Sequence, residues 1–196
     1  MSKILIINGH QYYKGIAEGN LTNVVITRVI DALEAKGFEV QKTEIDQHYD
    51  IKEELEKLNW ADVIFFQYPV YWMGVPWITK KYIDEVFSAG SGAVTYINDG
   101  RSRKDSNKRY GSGGLMTEKK YMLSLTYNCP RSEFDNKEGF FDGLSVDEAN
   151  ISVHKLFQFC GASPLETYSM HDIFKGDLDL EGELARLDAL LNKNFG

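Results

Sequence analysis

Three short, nearly uninterrupted apolar runs, Lys3–Asn8 (KILIIN), Asp62–Tyr68 (DVIFFQY) and Lys120–Tyr127 (KYMLSLTY), constrain this chain more than any other feature. Each is too brief for a buried helix and carries β-branched or aromatic residues, the pattern of a strand covered on both faces. Strands of that kind belong to parallel sheets, in which every pair must be joined by a covering crossover. The intervening segments have the right period. Leu21, Val25, Val29 and Leu33 recur every four residues, Ile26 and Ile30 widen the stripe, and Gly37 stops it. Phe38–Glu44 alternates like an edge strand, Ile51–Leu58 suits a short helix, and Ile78, Tyr82, Ile83, Val86 and Phe87 restore helical spacing over Ile78–Phe87. Further on, Asn150–Cys160 reads as a helix and Pro164–His171 as a fifth strand. Leu180, Leu184, Leu187 and Leu191 mark a last helix over Leu178–Leu191.

Five strands alternating with helices predict an α/β domain: a doubly wound, five-stranded parallel sheet of flavodoxin-like order 2-1-3-4-5, with right-handed crossovers and helices on both faces. At 196 residues, with no internal repeat or linker, one domain over residues 1–196 is expected. Twenty-two basic against twenty-nine acidic side chains give a net charge of −7, which repels phosphodiester backbones and argues against nucleic acid as a partner. Cys129 and Cys160 form no Cys-x-x-Cys pair, and the Ile4–Ile7 run is short for a signal-peptide core, so a reducing cytoplasm is expected. Val63–Ile78 is broken by Gln67, Pro69 and Pro76 and falls short of the roughly 20 apolar residues of a spanning helix. His10, His48, His154 and His171 lack metal-site spacing, and Ser112 lies outside any Gly-x-Ser-x-Gly elbow, so neither a metal centre nor a serine hydrolase is expected.

In such a sheet the connections reverse direction beside strand one, and ligands bind in the crevice at the carboxyl ends of strands one and three. The loop Asn8–Thr22 leads into a helix near Gly19-Asn20-Leu21-Thr22, whose free N–H groups suit a phosphate. Rossmann and Walker spacings are absent, and capping by Asn20 or Thr22 is the competing reading. The second loop, Pro69–Trp77 (PVYWMGVPW), sets Tyr71 and Trp72 between two φ-fixing prolines with Trp77 just after the second, which suits stacking of a flat ring; filling of the core is the alternative. The long segment Ser88–Gly114 has no apolar period. It carries Arg101, Arg103, Lys104, Lys108 and Arg109, an island that suits a phosphorylated nicotinamide nucleotide or is simply a solvated loop, followed by Tyr110 in a glycine-rich tract.

The ordered set of NGH at Asn8–His10, PVYWMGVPW at Pro69–Trp77, DGRSRKD at Asp99–Asp105, YGSGG at Tyr110–Gly114 and SLTYN at Ser124–Asn128 resembles the flavodoxin-like NAD(P)H:quinone oxidoreductases, in particular the modulator of drug activity B family. The resemblance spans nearly the whole chain. It implies FAD, a homodimer, and two-electron hydride transfer from NAD(P)H through the flavin to a quinone by a ping-pong route. Carried over by motif, Ala17, Glu18, Gly19, Asn20, Leu21, Thr22, Asn23 and Val24 would hold the pyrophosphate, with His10 beside them. Pro69, Val70, Tyr71, Trp72 and Met73 would hold the isoalloxazine, and Tyr110, Thr126, Tyr127, Asn128 and Cys129 the remaining contacts. Tyr127 and Asn128 would assist the acceptor oxygens. Cys129 stands where a small alanine-like residue is expected, and Tyr71 replaces part of a Trp-Trp pair. The residues themselves favour FAD over FMN in one respect: the first loop offers Thr22 but no hydroxyl-rich nest for a monophosphate. An electron-carrying flavodoxin, an FMN-dependent reductase of other small acceptors, and a flavin-free regulatory fold are the competing readings.

Overall fold

The computed structural model describes residues 2–175 and 178–196. Its strands are β1 (Lys3–Asn8), β2 (Glu39–Glu44), β3 (Val63–Pro69), β4 (Lys120–Thr126), β5 (Ser163–Pro164) and β6 (Tyr168–Met170), all paired in parallel in the order β2-β1-β3-β4, with β5 and then β6 on the outer edge of β4. The expected order 2-1-3-4-5 is therefore found. Alternation along β1 divides the core. Ile4 and Ile6 join Phe65, Met122, Tyr168 and the apolar stripes of α1 (Asn20–Glu34) and α6 (Leu180–Phe195), while Leu5 and Ile7 join Phe66, Tyr68, Leu123 and residues of α2 (Ile51–Trp60), α3 (Trp77–Tyr82) and α5 (Ile151–Phe159). Both faces of the sheet are thus covered, which is why its strands read as continuous apolar runs.

Three expected elements differ in detail. The fifth strand is split: Tyr121 faces Pro164 and Ser124 faces Tyr168, so four steps on the edge match three on β4, a one-residue bulge. Pro164 has no N–H to extend the ladder, and the added residue turns Tyr168 and Met170 onto the core face. The helix expected over Ile78–Phe87 opens after Tyr82 into a π turn, Ile83–Phe87, which buries Ile83, Val86 and Phe87 together. Ahead of α5, Ser145 and Glu148 form a reciprocal capping box that starts the short helix α4 (Val146–Ala149).

A buried carboxylate ties the crossovers to the sheet. Glu54 is 1% exposed; one oxygen accepts from Thr43 Oγ1 and from the Tyr82 hydroxyl, each at 2.7 Å, and the other from Lys57 Nζ at 2.6 Å. Both oxygens have donors, one of them a lysine ammonium, so the carboxylate is tolerated in the interior. No helix among the described residues is long and apolar enough to cross a membrane.

Phe66 lies against Tyr68 and Phe157, with ring centroids at 5.4 and 5.7 Å. Phe66→Ala should cost about 3–5 kcal/mol through lost transfer energy and the cavity left behind. Urea unfolding measures this, and a loss below about 1 kcal/mol would mean that the two faces are not packed as described.

Candidate functional site

The α1 helix starts without a side-chain cap. Its N-cap is Gly19 at φ 84, a conformation open to glycine, so neither Asn20 nor Thr22 plays the capping part. Among the described residues the amides of Asn20, Leu21 and Thr22 find no acceptor, and the first bond of the helix runs from Asn23 N–H to the Gly19 carbonyl at 2.9 Å. The loop before them is folded on itself: Tyr13 N–H and Ala17 N–H each reach the other residue's carbonyl at 2.8 Å, and Glu18 accepts from Gly15 N–H at 2.9 Å. Three bare amides at the positive end of a helix of 15 residues form a donor set for an anion. His10 packs against them, and a Cβ on Gly19 would lie 3.2 Å from the His10 ring. Its Nε2 lies 3.1 Å from the Ala17 carbonyl, which only accepts, so the proton sits on Nε2; Nδ1 is buried with no partner among the described residues.

The second loop makes a tight turn in which Tyr71 and Gly74 exchange both backbone hydrogen bonds, at 2.9 and 3.1 Å. Between them Trp72 and Met73 sit at φ 47 and φ 64, the geometry of a type I′ turn that favours Asn-Gly. Two bulky residues held there store on the order of 1–3 kcal/mol each, and strain of this kind gathers at ligand clamps. Trp72 is 96% exposed, which rules out a core-filling role for its indole. Tyr71 turns inward, donating to the Gln11 carbonyl at 3.3 Å, and burial pushes its hydroxyl up to about 12. Val70 and Val75 pack on the core, so the core-filling alternative holds for the flanks of the loop and fails at its tip.

These loops and the ends of β4 and β6 enclose a cleft of about 1160 Å³. From the expected set it is lined by His10, Ala17, Glu18, Gly19, Asn20, Leu21, Thr22, Pro69, Val70, Tyr71, Trp72, Thr126 and Asn128. Asn23, Val24, Met73, Tyr110, Tyr127 and Cys129 fall outside the lining. Val24 and Met73 are exposed beyond it. Tyr127 is 4% exposed and lies under the site: it stacks on His171 at 5.3 Å, its hydroxyl accepts from Asn150 Nδ2, and burial pushes it up to about 12. The structure therefore gives Tyr127 no access to an acceptor in the cleft, because alternation along β4 points it into the core while Thr126 and Asn128 face the ligand side. Tyr110 is anchored elsewhere, 5.5 Å from Phe159 at the end of α5, with Arg101 at 5.7 Å and paired to Asp99. Trp77, expected from the aromatic loop, lines the cleft as well, and so do Tyr13, Ile16, Ile173 and Phe174, which no sequence motif singled out. The end of the fifth strand was the available signal for Ile173 and Phe174, since every carboxyl end of a parallel sheet faces the same crevice.

Comparison with known proteins matches residues 2–191 to a family described as having the flavodoxin-like fold. The NADPH:quinone oxidoreductase MdaB of Haemophilus influenzae is 39% identical over 193 residues, covering 98% of this chain and 99% of that protein. Among solved structures, the NAD(P)H:quinone oxidoreductase of Methanothermobacter marburgensis superimposes with a TM-score of 0.71 at 14% identity, over 98% of this chain and 97% of the other. General stress protein 14 of Treponema denticola, solved in complex with FMN, does so with a TM-score of 0.63 at 18% identity, over 97% and 99%. The expectation of FAD is corrected by these findings: the chain matches the flavodoxin-like fold, and a relative of that fold solved with a flavin holds FMN. The physical reason lies in the first loop. A monophosphate needs a hydroxyl-rich nest only where backbone donors are lacking, and Gly19 frees three amides beside Thr22.

Because Trp72 is almost wholly exposed, Trp72→Ala should leave stability within about 0.5 kcal/mol of the parent. It should weaken FMN retention about tenfold, the loss of one aromatic face. Fluorescence titration with FMN checks this, and unchanged retention would remove the indole from the site.

Proposed function

The chain belongs to the flavodoxin-like family and is related to the MdaB-type quinone oxidoreductases, and from that premise we propose that it passes hydride from NAD(P)H through FMN to a quinone, both substrates using one slot in turn. The observation that carries the reading is the pairing of bare amides at the head of α1 with a strained, exposed aromatic turn across the same cleft. Bound FMN supplies a two-electron carrier. The protein supplies position and surroundings. Asn20, Leu21 and Thr22 hold the phosphate through their amides, Tyr71 and Trp72 give the ring a flat wall, and Thr126 and Asn128 border it from the end of β4. Trp77, Ile173 and Phe174 line the mouth with apolar surface and exclude water from the transfer. Asn128, the one expected catalytic residue in the lining, orients the acceptor oxygen, and Tyr127 supports its loop from below. No side-chain nucleophile takes part.

No lysine or arginine lines the cleft among the described residues, where Glu18 is the acidic side chain present. The pyrophosphate of a nicotinamide nucleotide therefore needs cations from elsewhere. Arg101, Arg103, Lys104, Lys108, Arg109 and Tyr110 lie on a loop packed at the far end of α5. A homodimer in which that loop reaches the cleft of the second copy would reconcile Tyr110 as a flavin contact with its place in the chain. Free thiols at Cys129 and Cys160 support a cytoplasmic setting.

With FMN bound, the protein should oxidise NAD(P)H in the presence of menadione, and double-reciprocal lines at several quinone concentrations should run parallel. Intersecting lines would contradict a shared slot, and bound flavin without NAD(P)H consumption would turn the reading to an electron carrier. Sedimentation equilibrium should return twice the 22.4 kDa chain mass. A monomer at assay concentration would contradict the shared site.

A further inference from the structure

Beneath the cleft, His171 is held at both ring nitrogens and on one face. Its Nδ1 lies 3.2 Å from the Cys129 carbonyl and its Nε2 2.9 Å from Ser169 Oγ. A carbonyl only accepts, so Nδ1 carries the proton and Nε2 receives the serine hydroxyl. One ring face stacks on Tyr127 with planes 3° apart, and Phe134 meets the ring edge-on at 5.4 Å. The same Cys129 carbonyl also accepts from Asp172 N–H at 3.3 Å, and Ile173 N–H reaches the Tyr127 carbonyl at 3.2 Å. His171 thus fastens the loop that carries Asn128 to the turn that carries Ile173 and Phe174, a turn that passes through Asp172 at φ 56.

We propose that His171 is a positioning residue for the flavin site: as the neutral Nδ1–H tautomer it clamps the β4 and β6 loops together, and a proton gained at Nε2, where the Ser169 hydroxyl now donates, breaks that bond and puts an unpaired cation in the stacked interior, which loosens the clamp and weakens flavin binding. This rests on the flavin reading above. Burial holds the imidazole below its usual range; the Cys129 carbonyl pulls the other way, Arg131 and Arg186 add to the depression, and Glu183 opposes it. The remaining polar neighbours are Ser169 and Asp172 on its own segment and the Tyr127 hydroxyl opposite, which accepts from Asn150. With the clamped value below the free value, the clamp is at full strength above the ordinary histidine range and is lost as pH falls through it, toward the depressed value.

The test measures flavin affinity by fluorescence quenching between pH 7.5 and 5.5, with FMN and with riboflavin. Riboflavin has no phosphate, so its pH dependence reports the protein alone. The parent should lose affinity for both on acidification. His171→Asn, which keeps a donor at the δ position and cannot titrate, should bind riboflavin about as tightly as the parent at pH 7.5 and keep that affinity at pH 5.5. His171→Phe keeps the stack on Tyr127 without the donor and should bind about tenfold more weakly throughout, the loss expected for one hydrogen bond that orders two loops. Hydrogen exchange of the flavin-free protein at pH 7.5 gives a readout that needs no ligand: in His171→Phe the Asp172 and Ile173 amides should exchange faster while the α1 amides do not. Parent-like affinity in His171→Phe, parent-like exchange at those two amides, or an acid loss of riboflavin that persists in His171→Asn would each overturn the proposal. If the parent binds no flavin at pH 7.5, the flavin reading and the pH coupling both fall, and the exchange result alone decides whether His171 is a clamp.

Discussion

A parallel strand can be rejoined only by a crossover, and in a sheet covered on both faces every crossover leaves from the same edge. That constraint places the Asn8–Thr22 loop, the Pro69–Trp77 loop, Asn128 and Ile173–Phe174 around one cleft although they are spread over most of the chain. The apolar faces of β1 and β3 fix the sheet, the sheet fixes the edge, and the edge gathers the loops. Anchors such as the buried Glu54, which joins β2, α2 and α3, keep the helices in register with the strands whose ends form the site.

At that edge the chain departs from the rules it follows elsewhere. In the core, Glu54, Asn150 and Thr79 each find partners for their buried polar atoms; at the head of α1, among the described residues, three amides do not, and His10 keeps an open Nδ1. The turn at Trp72 and Met73 takes a backbone better suited to asparagine and glycine and sets an indole in solvent. Each departure costs stability in the free protein, and departures of this kind gather at ligand sites. His171 shows the complementary principle, a side chain whose two ring nitrogens both find partners and whose face stacks on Tyr127 between the ends of β4 and β6.

Much of this was legible in the residues. Strand β1 and the start of α2 fall where apolar spacing puts them, and α1 begins one residue earlier, because period and burial agree there. The bulge between Pro164 and Tyr168 and the π turn at Ile83 were not readable, since both arise from fitting a chain to neighbours that are distant in sequence. The head of α1 and the aromatic turn were recognisable from Gly19 and from Trp72 between two prolines. Tyr127 was misplaced because its motif neighbours, Thr126 and Asn128, do face the cleft, and strand alternation sends the middle residue inward. The choice of flavin failed for a related reason: the sequence displays hydroxyls and hides amides. Backbone donors become visible only when the φ of Gly19 is known.

The central claim is that the unpartnered amides of α1 and the left-handed aromatic turn together grip one flavin mononucleotide. Amide and indole chemical shifts followed by two-dimensional NMR during an FMN titration test it most directly. The account predicts saturable shifts at Asn20, Leu21 and Thr22 and at the Trp72 indole, with the amide shifts absent when riboflavin replaces FMN. Shifts that leave these groups unmoved, or that are the same for both ligands at the α1 amides, would contradict it.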